Sequence, residues 1–298
     1  MFFTRDDCPA CGGAGRTLYS CPFNAGPISS FLASYYHREL DLPGEYRAIE
    51  CNCCGTVFQA EVGDDAFLAT LYGEWIDSVD PNDDPQYRFD VANPRLSRDG
   101  HEIICASAFL DVPLEEMVTL DFGMGWASWA RNARDLGCKS HGYDLSPERF
   151  AFAQAYGIIT DLDDTFHFVN TEQVMEHVPN PAALVADLAS RLRPGGILKI
   201  SVPSNLGLKE TLSRLAAGQA SVSRDEIMPL QPLEHVNCFS KKGLELMSEM
   251  AVVRPSLFDR FAFLPDGISL RYPRKALKEL VRPFWRNRAN IYVWLQRR

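Results

Sequence analysis

The sequence lacks any long apolar segment and any basic, apolar leader. No run reaches the roughly 18 consecutive apolar residues that a membrane-spanning helix needs. The first residues, MFFTRDD, have neither the basic start nor the apolar stretch of a secretory signal peptide. We therefore expect a cytoplasmic globular protein, and the hydrophobic content of 46% and charged content of 23% agree with that class.

An excess of positive charge is also absent. The 30 Lys and Arg against 39 Asp and Glu give a formal net charge of −9, which argues against a large nucleic-acid-binding face. The charge is uneven, because residues 271–298 carry a net +8 and leave −17 on residues 1–270. This basic tail also holds five aromatic residues and predicts a C-terminal helix. We favour a helix that packs on the core or on a second subunit over one that lies on an anionic membrane surface.

The nine cysteines are odd in number and include two C-x-x-C-G knuckles, at residues 8–12 and 51–55. The two-residue spacer lets two thiolates reach one Zn²⁺ at tetrahedral angles, and the glycine lets backbone amides turn toward the sulfurs. This pattern predicts a structural zinc ribbon over residues 1–76. Cys53 competes with the last ligand position, and Cys21 is a weaker alternative. The predicted ligands are Cys8, Cys11, Cys51 and Cys54.

Composition divides the rest of the chain. Residues 77–97 are acidic and rich in proline in their first part, which predicts a linker or lid. Residues 98–270 form the predicted main domain. Within them, residues 206–239 hold two prolines and a polar run, which indicate a substrate-covering insertion.

From residue 117, short apolar segments alternate with helical patterns, which predicts a Rossmann-like, doubly wound α/β fold with a mostly parallel sheet. The first strand leads into Gly123-Met124-Gly125, and the second ends at Asp144, about 20 residues later. Glycines at this turn let a ligand approach the backbone, and the acid can accept both ribose hydroxyls. These features fit NAD, FAD or S-adenosylmethionine, but the third glycine of the dinucleotide fingerprint is replaced by Ala127 or Ser128.

Four segments together resemble the class I S-adenosylmethionine-dependent methyltransferases: VTLDFGMGWASWA, GYDLS, TEQVMEHVPNP and LRPGGILKISVP. The resemblance implies that the glycine loop holds the methionine part of the cofactor, that Asp144 holds the ribose, and that the loop after the fourth strand touches the adenine and faces the substrate. Whether Asp121 contacts the cofactor or only braces the turn stays open. So does the choice of adenine-reading acid among Asp161, Asp163 and Asp164. The implied cofactor contacts are Asp121, Phe122, Gly123, Gly125, Asp144, Leu145, Thr171, Glu172 and Gln173.

The knuckles, the segment 49–59 and the Leu71-Tyr72 helix resemble the zinc-binding front end of sugar C-methyltransferases of antibiotic pathways. The resemblance implies a sugar or other small glycan-pathway substrate and leaves the acceptor atom open, with oxygen slightly preferred. The alternatives are an RNA methyltransferase with a zinc ribbon and a non-catalytic scaffold.

Two histidines are candidate bases, since an acceptor that loses a proton needs one. His235 lies in the segment EHVNCFS, which resembles a substrate-pocket segment of related methyltransferases. We favour His235 as base or substrate contact, with Glu234 beside it. For His177, in EHV, a catalytic role and a purely structural role both stay open.

Overall fold

The computed structural model describes residues 2–35, 42–72, 80–269, 271–281 and 289–298. The strands are β1 (Phe2–Thr4), β2 (Gly15–Pro22), β3 (Glu45–Cys51), β4 (Val57–Gln59), β5 (Glu61–Gly63), β6 (Val118–Phe122), β7 (Lys139–Tyr143), β8 (Phe166–Glu172), β9 (Leu192–Pro203), β10 (Asn237–Cys238), β11 (Ala251–Val253) and β12 (Asn290–Gln296). The helices are α1 (Gly26–Tyr35), α2 (Asp65–Thr70), α3 (Pro85–Ala92), α4 (Arg98–Leu110), α5 (Ser128–Asp135), α6 (Pro147–Ala155), α7 (Pro181–Ser190), α8 (Leu208–Ala216), α9 (Arg224–Ile227), α10 (Lys241–Leu246), α11 (Leu257–Arg260) and α12 (Pro273–Val281). None of the helices in these ranges is long and apolar enough to span a bilayer.

The main sheet in the described residues has six strands in the order β11-β12-β9-β8-β6-β7. Strands β7, β6, β8 and β9 are parallel, and β12 runs antiparallel to β9 and β11. Parallel neighbours need crossover connections, and α5, α6 and α7 lie in the three crossovers. The predicted Rossmann-like, mostly parallel α/β fold is confirmed.

The strand order reverses between β6 and β8, because the chain leaves β6 for β7 on one side and returns to β8 on the other. The crevice outside the carboxyl ends of the strands at such a point is where open α/β sheets bind ligands. The predicted cofactor residues at the ends of β6, β7 and β8 therefore share one edge of the sheet. After α6, the chain makes one isolated parallel bridge to β7, between Ile159 and His141.

The N-terminal region is not the separate ribbon of residues 1–76 that the sequence predicts. Its four-stranded sheet, in the described residues, has the order β10-β4-β3-β2 and so takes an edge strand from residues 237–238. Leucines of α8 also pack with Tyr19 and Tyr46 in one apolar cluster, because so small a sheet cannot bury its apolar face alone. Residues 206–239 thus complete the N-terminal core, and their role as a substrate cover stays a prediction.

The predicted linker 77–97 is largely helical in the described residues 80–97, and residues 77–79 lie outside the described ranges. Asp84 caps α3 with its carboxylate and Ser97 caps α4, which explains why a polar, proline-rich segment forms helices. The Tyr87 hydroxyl on α3 donates to the backbone oxygen of Trp126 at 2.8 Å. The segment therefore rests on the glycine loop.

The predicted C-terminal helix over residues 271–298 is wrong in its second half. Helix α12 ends at Val281, and Phe284 and Trp285 lie outside the described residues. Residues Asn290–Gln296 form β12, inside the main sheet. The segment NIYVWLQ is rich in β-branched and aromatic residues, which favour a strand, and Trp294 is only 4% exposed against Phe109 and Phe168.

Candidate active site

The glycine loop after β6 has the backbone that only glycine adopts easily. Gly123 and Gly125 have φ angles of 74° and 53°, in the left-handed region. A Cβ on Gly123 would lie 2.4 Å from a methyl group of Val174, so the loop after β8 closes against this turn. A Cβ on Gly125 would meet no atom within 4 Å. Open space in front of Gly125 is what a ligand approaching the backbone needs.

Asp144 at the end of β7 lies against this loop. Its carboxylate accepts the Gly125 N–H at 2.9 Å through one oxygen and the Ser146 N–H at 2.9 Å through the other. Arg149 approaches the carboxylate at 3.8 Å. A groove open to solvent runs along this side of the loop, and its lining includes Asp144, Leu145, Phe150 and Gln154. Leu145 is 67% exposed, so it offers an apolar surface to a flat ligand.

Asp121 has the bracing role that the sequence left as one of two possibilities. It is 3% exposed, and its carboxylate accepts the side-chain N–H of Asn170 at 2.8 Å. Burial raises the pKa of Asp121 to about 7, partly offset by that hydrogen bond. The carboxylate thus links β6 to β8 below the glycine turn. Phe122, next in the chain, stacks on Tyr143 with ring centroids 5.1 Å apart.

The three predicted contacts after β8 differ in their surroundings. Thr171 is fully buried and donates to the backbone oxygen of Lys199 at 2.9 Å, so its side chain is engaged inside the sheet, and its contact with the cofactor stays a prediction. Strand β8 includes Thr171 and ends one residue later, at Glu172. Glu172 pairs with Lys199 at 2.8 Å and with Arg98 at 3.1 Å. Gln173 has a φ of 56°, and its buried amide nitrogen has no hydrogen-bond partner among the described residues.

A buried ion-pair network borders these residues and was missed from the sequence. The Lys199 ammonium lies 2.7 Å from Glu102 and 2.8 Å from Glu172. The two carboxylates raise the pKa of Lys199 against the effect of its burial. The signal was a lysine inside the apolar strand ILKISV. The network fixes the end of β8 to α4.

His177 and His235 meet although they are far apart in sequence. Their ring centroids are 4.6 Å apart and nearly perpendicular. Nδ1 of His177 lies 3.0 Å from the backbone oxygen of Glu234, and Nδ1 of His235 lies 2.5 Å from that of Met228. A carbonyl oxygen only accepts, so the bond to Met228 places the proton of His235 on Nδ1 and leaves its lone pair on Nε2. Glu234, predicted as catalytic, contributes its backbone here.

Two further groups complete this cluster, and neither was predicted as a site residue. The Tyr72 hydroxyl lies 2.5 Å from Nδ1 of His177. Glu176 is fully buried, and within the described ranges its carboxyl oxygens have no hydrogen-bond partner. Donor atoms of Glu176, His177 and His235 lie within 4.8 Å of one another, a set that can also hold a divalent metal.

Burial sets the protonation of the cluster. It lowers the pKa of His177 to about 3, with a further contribution from His235, and lowers that of His235 to about 4. It raises the pKa of Glu176 to about 8. At neutral pH the cluster therefore consists of two neutral imidazoles and a protonated carboxyl group. The neutral imidazole of His235, with its lone pair on Nε2, can accept a proton from an acceptor hydroxyl.

The two cysteine knuckles converge on one point. The Sγ atoms of Cys8, Cys11, Cys51 and Cys54 lie within 4.8 Å of one another. The Cys8–Cys54 and Cys11–Cys51 sulfur distances are 3.6 and 3.5 Å. Four sulfurs around zinc at bonds of about 2.3 Å are about 3.8 Å apart, so the cluster fits the ion. Cys53 is exposed and lies outside this set.

Comparisons with known proteins match the part of the chain that holds strands β6 to β9. A family model described as a methyltransferase domain matches residues 102–251, half of the chain. A ubiquinone biosynthesis O-methyltransferase of Xanthomonas oryzae pv. oryzae (strain PXO99A) is 30% identical over 164 residues, which cover 49% of this chain and 62% of that protein. The match thus covers less than two thirds of that relative. The enzyme of the same name from Burkholderia thailandensis is 24% identical, and the match covers 49% of this chain and 72% of that enzyme.

A solved structure is also similar. The plantazolicin methyltransferase BpumL in complex with SAH is 14% identical, with a TM-score of 0.45, over 77% of this chain and 93% of its own. At this score the likeness adds no argument to the sheet order described above.

The protonated carboxyl of Glu176 predicts a pH-dependent stability. Its pKa rises from 4.5 to about 8 on folding, so across that window the unfolded chain loses a proton that the folded chain keeps. The free energy of unfolding must then fall as pH rises. Urea unfolding at pH 5 and pH 8 measures this. The change that Glu176→Gln makes in the free energy of unfolding should be more favourable at pH 8 than at pH 5 by more than about 1 kcal/mol. The control Glu249→Gln, at an exposed position, should make the same change at both pH values. A pH-independent effect of Glu176→Gln would contradict the assignment.

Proposed function

The chain belongs to the methyltransferase-domain family whose model matches residues 102–251, and from this membership we propose that it transfers a methyl group from S-adenosylmethionine to a hydroxyl oxygen of a small molecule. The observation that carries the proposal is the bond between Asp144 and Gly125, beside an open groove at the point where the strand order reverses.

The residues of this edge fit the cofactor. Asp144 would turn its carboxylate to the ribose hydroxyls, and the space in front of Gly125 admits the chain that carries the sulfonium. The exposed Leu145 would lie against the adenine. The unpartnered amide of Gln173 can donate to a polar group of the same ligand. Bound S-adenosylmethionine would supply an electrophilic methyl group.

The protein's part in the transfer is to orient the acceptor and to take its proton. Val174 packs against Gly123, so the loop that carries His177 begins beside the glycine turn. Nε2 of His235 would accept the hydroxyl proton as the oxygen attacks the methyl carbon, with His177 beside it. Both imidazoles are partly buried, and the resulting desolvation keeps them neutral before the acceptor arrives.

Oxygen is the acceptor atom that the relatives support, because two of them are named O-methyltransferases. The substrate class is a finer proposal. The resemblance of the N-terminal segment to sugar-modifying enzymes favours a sugar hydroxyl, and the names of the relatives make phenolic hydroxyls the second class to assay. The net charge of −9 favours a small molecule over RNA.

We further propose that Cys8, Cys11, Cys51 and Cys54 hold a structural zinc ion. The four ligands leave no open coordination position, so the metal would stabilise the N-terminal sheet and take no part in methyl transfer.

Replacing Asp144 tests cofactor binding. Asp144→Ala removes the acceptor of the ribose hydroxyls and should weaken S-adenosylmethionine at least about tenfold, since hydrogen bonds to charged groups contribute about 1.5–3 kcal/mol. Titration calorimetry measures the change. Glu148→Ala, an exposed acid on neighbouring α6, is the control and should leave affinity intact. An Asp144→Ala chain with wild-type affinity would disprove the cofactor site.

Replacing His235 tests the base. With an acceptor found among nucleotide sugars or phenols, His235→Asn should lower kcat about 100-fold or more, with cofactor affinity unchanged. His167→Asn, at the opposite end of β8, should retain activity. Assays with and without a chelator separate this proton transfer from metal-assisted chemistry. Full activity of His235→Asn would exclude the histidine as base.

Elemental analysis of purified protein tests the zinc site. We expect about one zinc ion per chain. Cys51→Ser should lose the ion and several kcal/mol of stability, because binding energy here is folding energy. Cys53→Ser is the matched control, since Cys53 is exposed beside the cluster, and it should keep both. Zinc loss from Cys53→Ser with retention in Cys51→Ser would overturn the ligand set.

A further inference from the structure

Arg5 follows β1 and binds three segments that are far apart in sequence. Nη2 donates to the backbone oxygens of Gln59 at 2.8 Å and Val236 at 2.9 Å. Nη1 donates to the backbone oxygen of Pro179 at 2.8 Å and to the side-chain oxygen of Asn237 at 2.9 Å. Nε adds a longer bond to Gln59 at 3.3 Å. All these acceptors are neutral oxygens, so the guanidinium acts here through its fork of donors and not through an ion pair.

Two of these segments lead to the histidine pair. Pro179 is two residues after His177, and Val236 follows His235 directly. The guanidinium therefore holds the backbone beside both histidines at once. Arg5 is partly buried and also lies over the Phe58 ring, 5.5 Å from its centroid, so its own position is set by packing.

Two amide side chains extend this arrangement. Asn237 donates to the backbone oxygens of Met175 at 2.9 Å and Val178 at 2.7 Å, on either side of His177. Gln59 donates to the backbone oxygens of Gln231 and His235, both at 2.9 Å. Arg5, Gln59 and Asn237 together hold carbonyl groups that flank both imidazoles.

We propose that Arg5, acting with Asn237, is the positioning residue that holds His177 and His235 in their buried, face-to-edge arrangement. It touches neither imidazole in the contacts above and acts through backbone carbonyls. The inference rests on the proposed function in one respect, which is that the pair receives the acceptor proton. It assigns to the N-terminal strand a direct part in building the active site.

Arginine is required because one planar group must serve acceptors in three directions. A lysine at position 5 keeps the positive charge but has a single ammonium and no rigid fork. It cannot hold the carbonyls of Gln59, Val236 and Pro179 together. The loops should then separate and admit water to the histidine pair.

An NMR titration of the two histidines detects this separation of the loops, and it needs no methyl acceptor. The groups facing the pair are Tyr72 just after α2, Glu176 on the same loop as His177, Glu234 beside His235, and Arg224 on α9. Arg224 adds to the lowering of the His235 pKa that burial causes. In wild-type protein both imidazoles should stay neutral between about pH 5 and 8. In Arg5→Lys, water around the rings should raise both pKa values toward the ordinary value, so that titration enters this window.

The experiment uses ¹⁵N-histidine protein, with signals assigned by His177→Gln and His235→Gln. Arg16→Lys is the matched control, an arginine on β2 that is 69% exposed and paired with Glu50, and it should leave the titration unchanged. Zinc content and S-adenosylmethionine affinity should stay as in wild type for both variants. With an acceptor in hand, Arg5→Lys should lower kcat about tenfold or more while KM for the cofactor is kept.

Asn237→Ala is the second variant and should shift the same two signals. If Arg5→Lys does not fold, this variant decides. Wild-type histidine titration in a folded, zinc-loaded Arg5→Lys or Asn237→Ala chain would overturn the inference. A wild-type chain that methylates no acceptor would refute the proposed function. The NMR result would still test the role of Arg5, because that measurement needs no turnover.

Discussion

The Gly125 N–H donates to the Asp144 carboxylate across 2.9 Å and joins the turn after β6 to the end of β7. The turn follows β6, one of the two strands between which the strand order reverses, and such a point is where open α/β sheets bind ligands. Asp121, bonded to Asn170, links β6 to β8 next to this turn, and Val174 after β8 lies against Gly123. The open groove lies beside Asp144, and the loop that carries His177 begins beside the glycine turn.

The N-terminal sheet contributes to the same site from its other side. Strand β4 begins three residues after Cys54 and ends at Gln59, whose side chain holds the backbone of His235. Strand β10, paired with β4, carries Asn237 beside the loop of His177. The cysteine cluster therefore anchors the strands that border the histidine pair. The cysteine cluster and the histidine pair are thus connected through strand β4 and the side-chain bonds of Gln59 and Asn237.

Local patterns in the sequence predicted the parts of the fold that depend on local physics. The glycine turn, the acid at Asp144 and the knuckle spacing all follow from backbone conformation or ligand geometry over a few residues. Contacts between distant segments were not predictable in this way. Nothing near Arg5 or Tyr72 in sequence indicates that Tyr72 contacts His177 or that Arg5 holds the backbone beside both histidines. The sequence predicted a C-terminal helix because the basic and aromatic residues of this segment fit an amphipathic helix. The strand pattern of Asn290–Gln296 was not recognised among them.

The most direct measurement is equilibrium binding of S-adenosylmethionine to the wild-type chain. The account predicts one site per chain, competed by the demethylated product S-adenosylhomocysteine and unaffected by excess NAD, because the third glycine that a dinucleotide turn uses is absent here. Saturable binding of NAD at this site, or no binding of the sulfonium nucleoside at all, would contradict it.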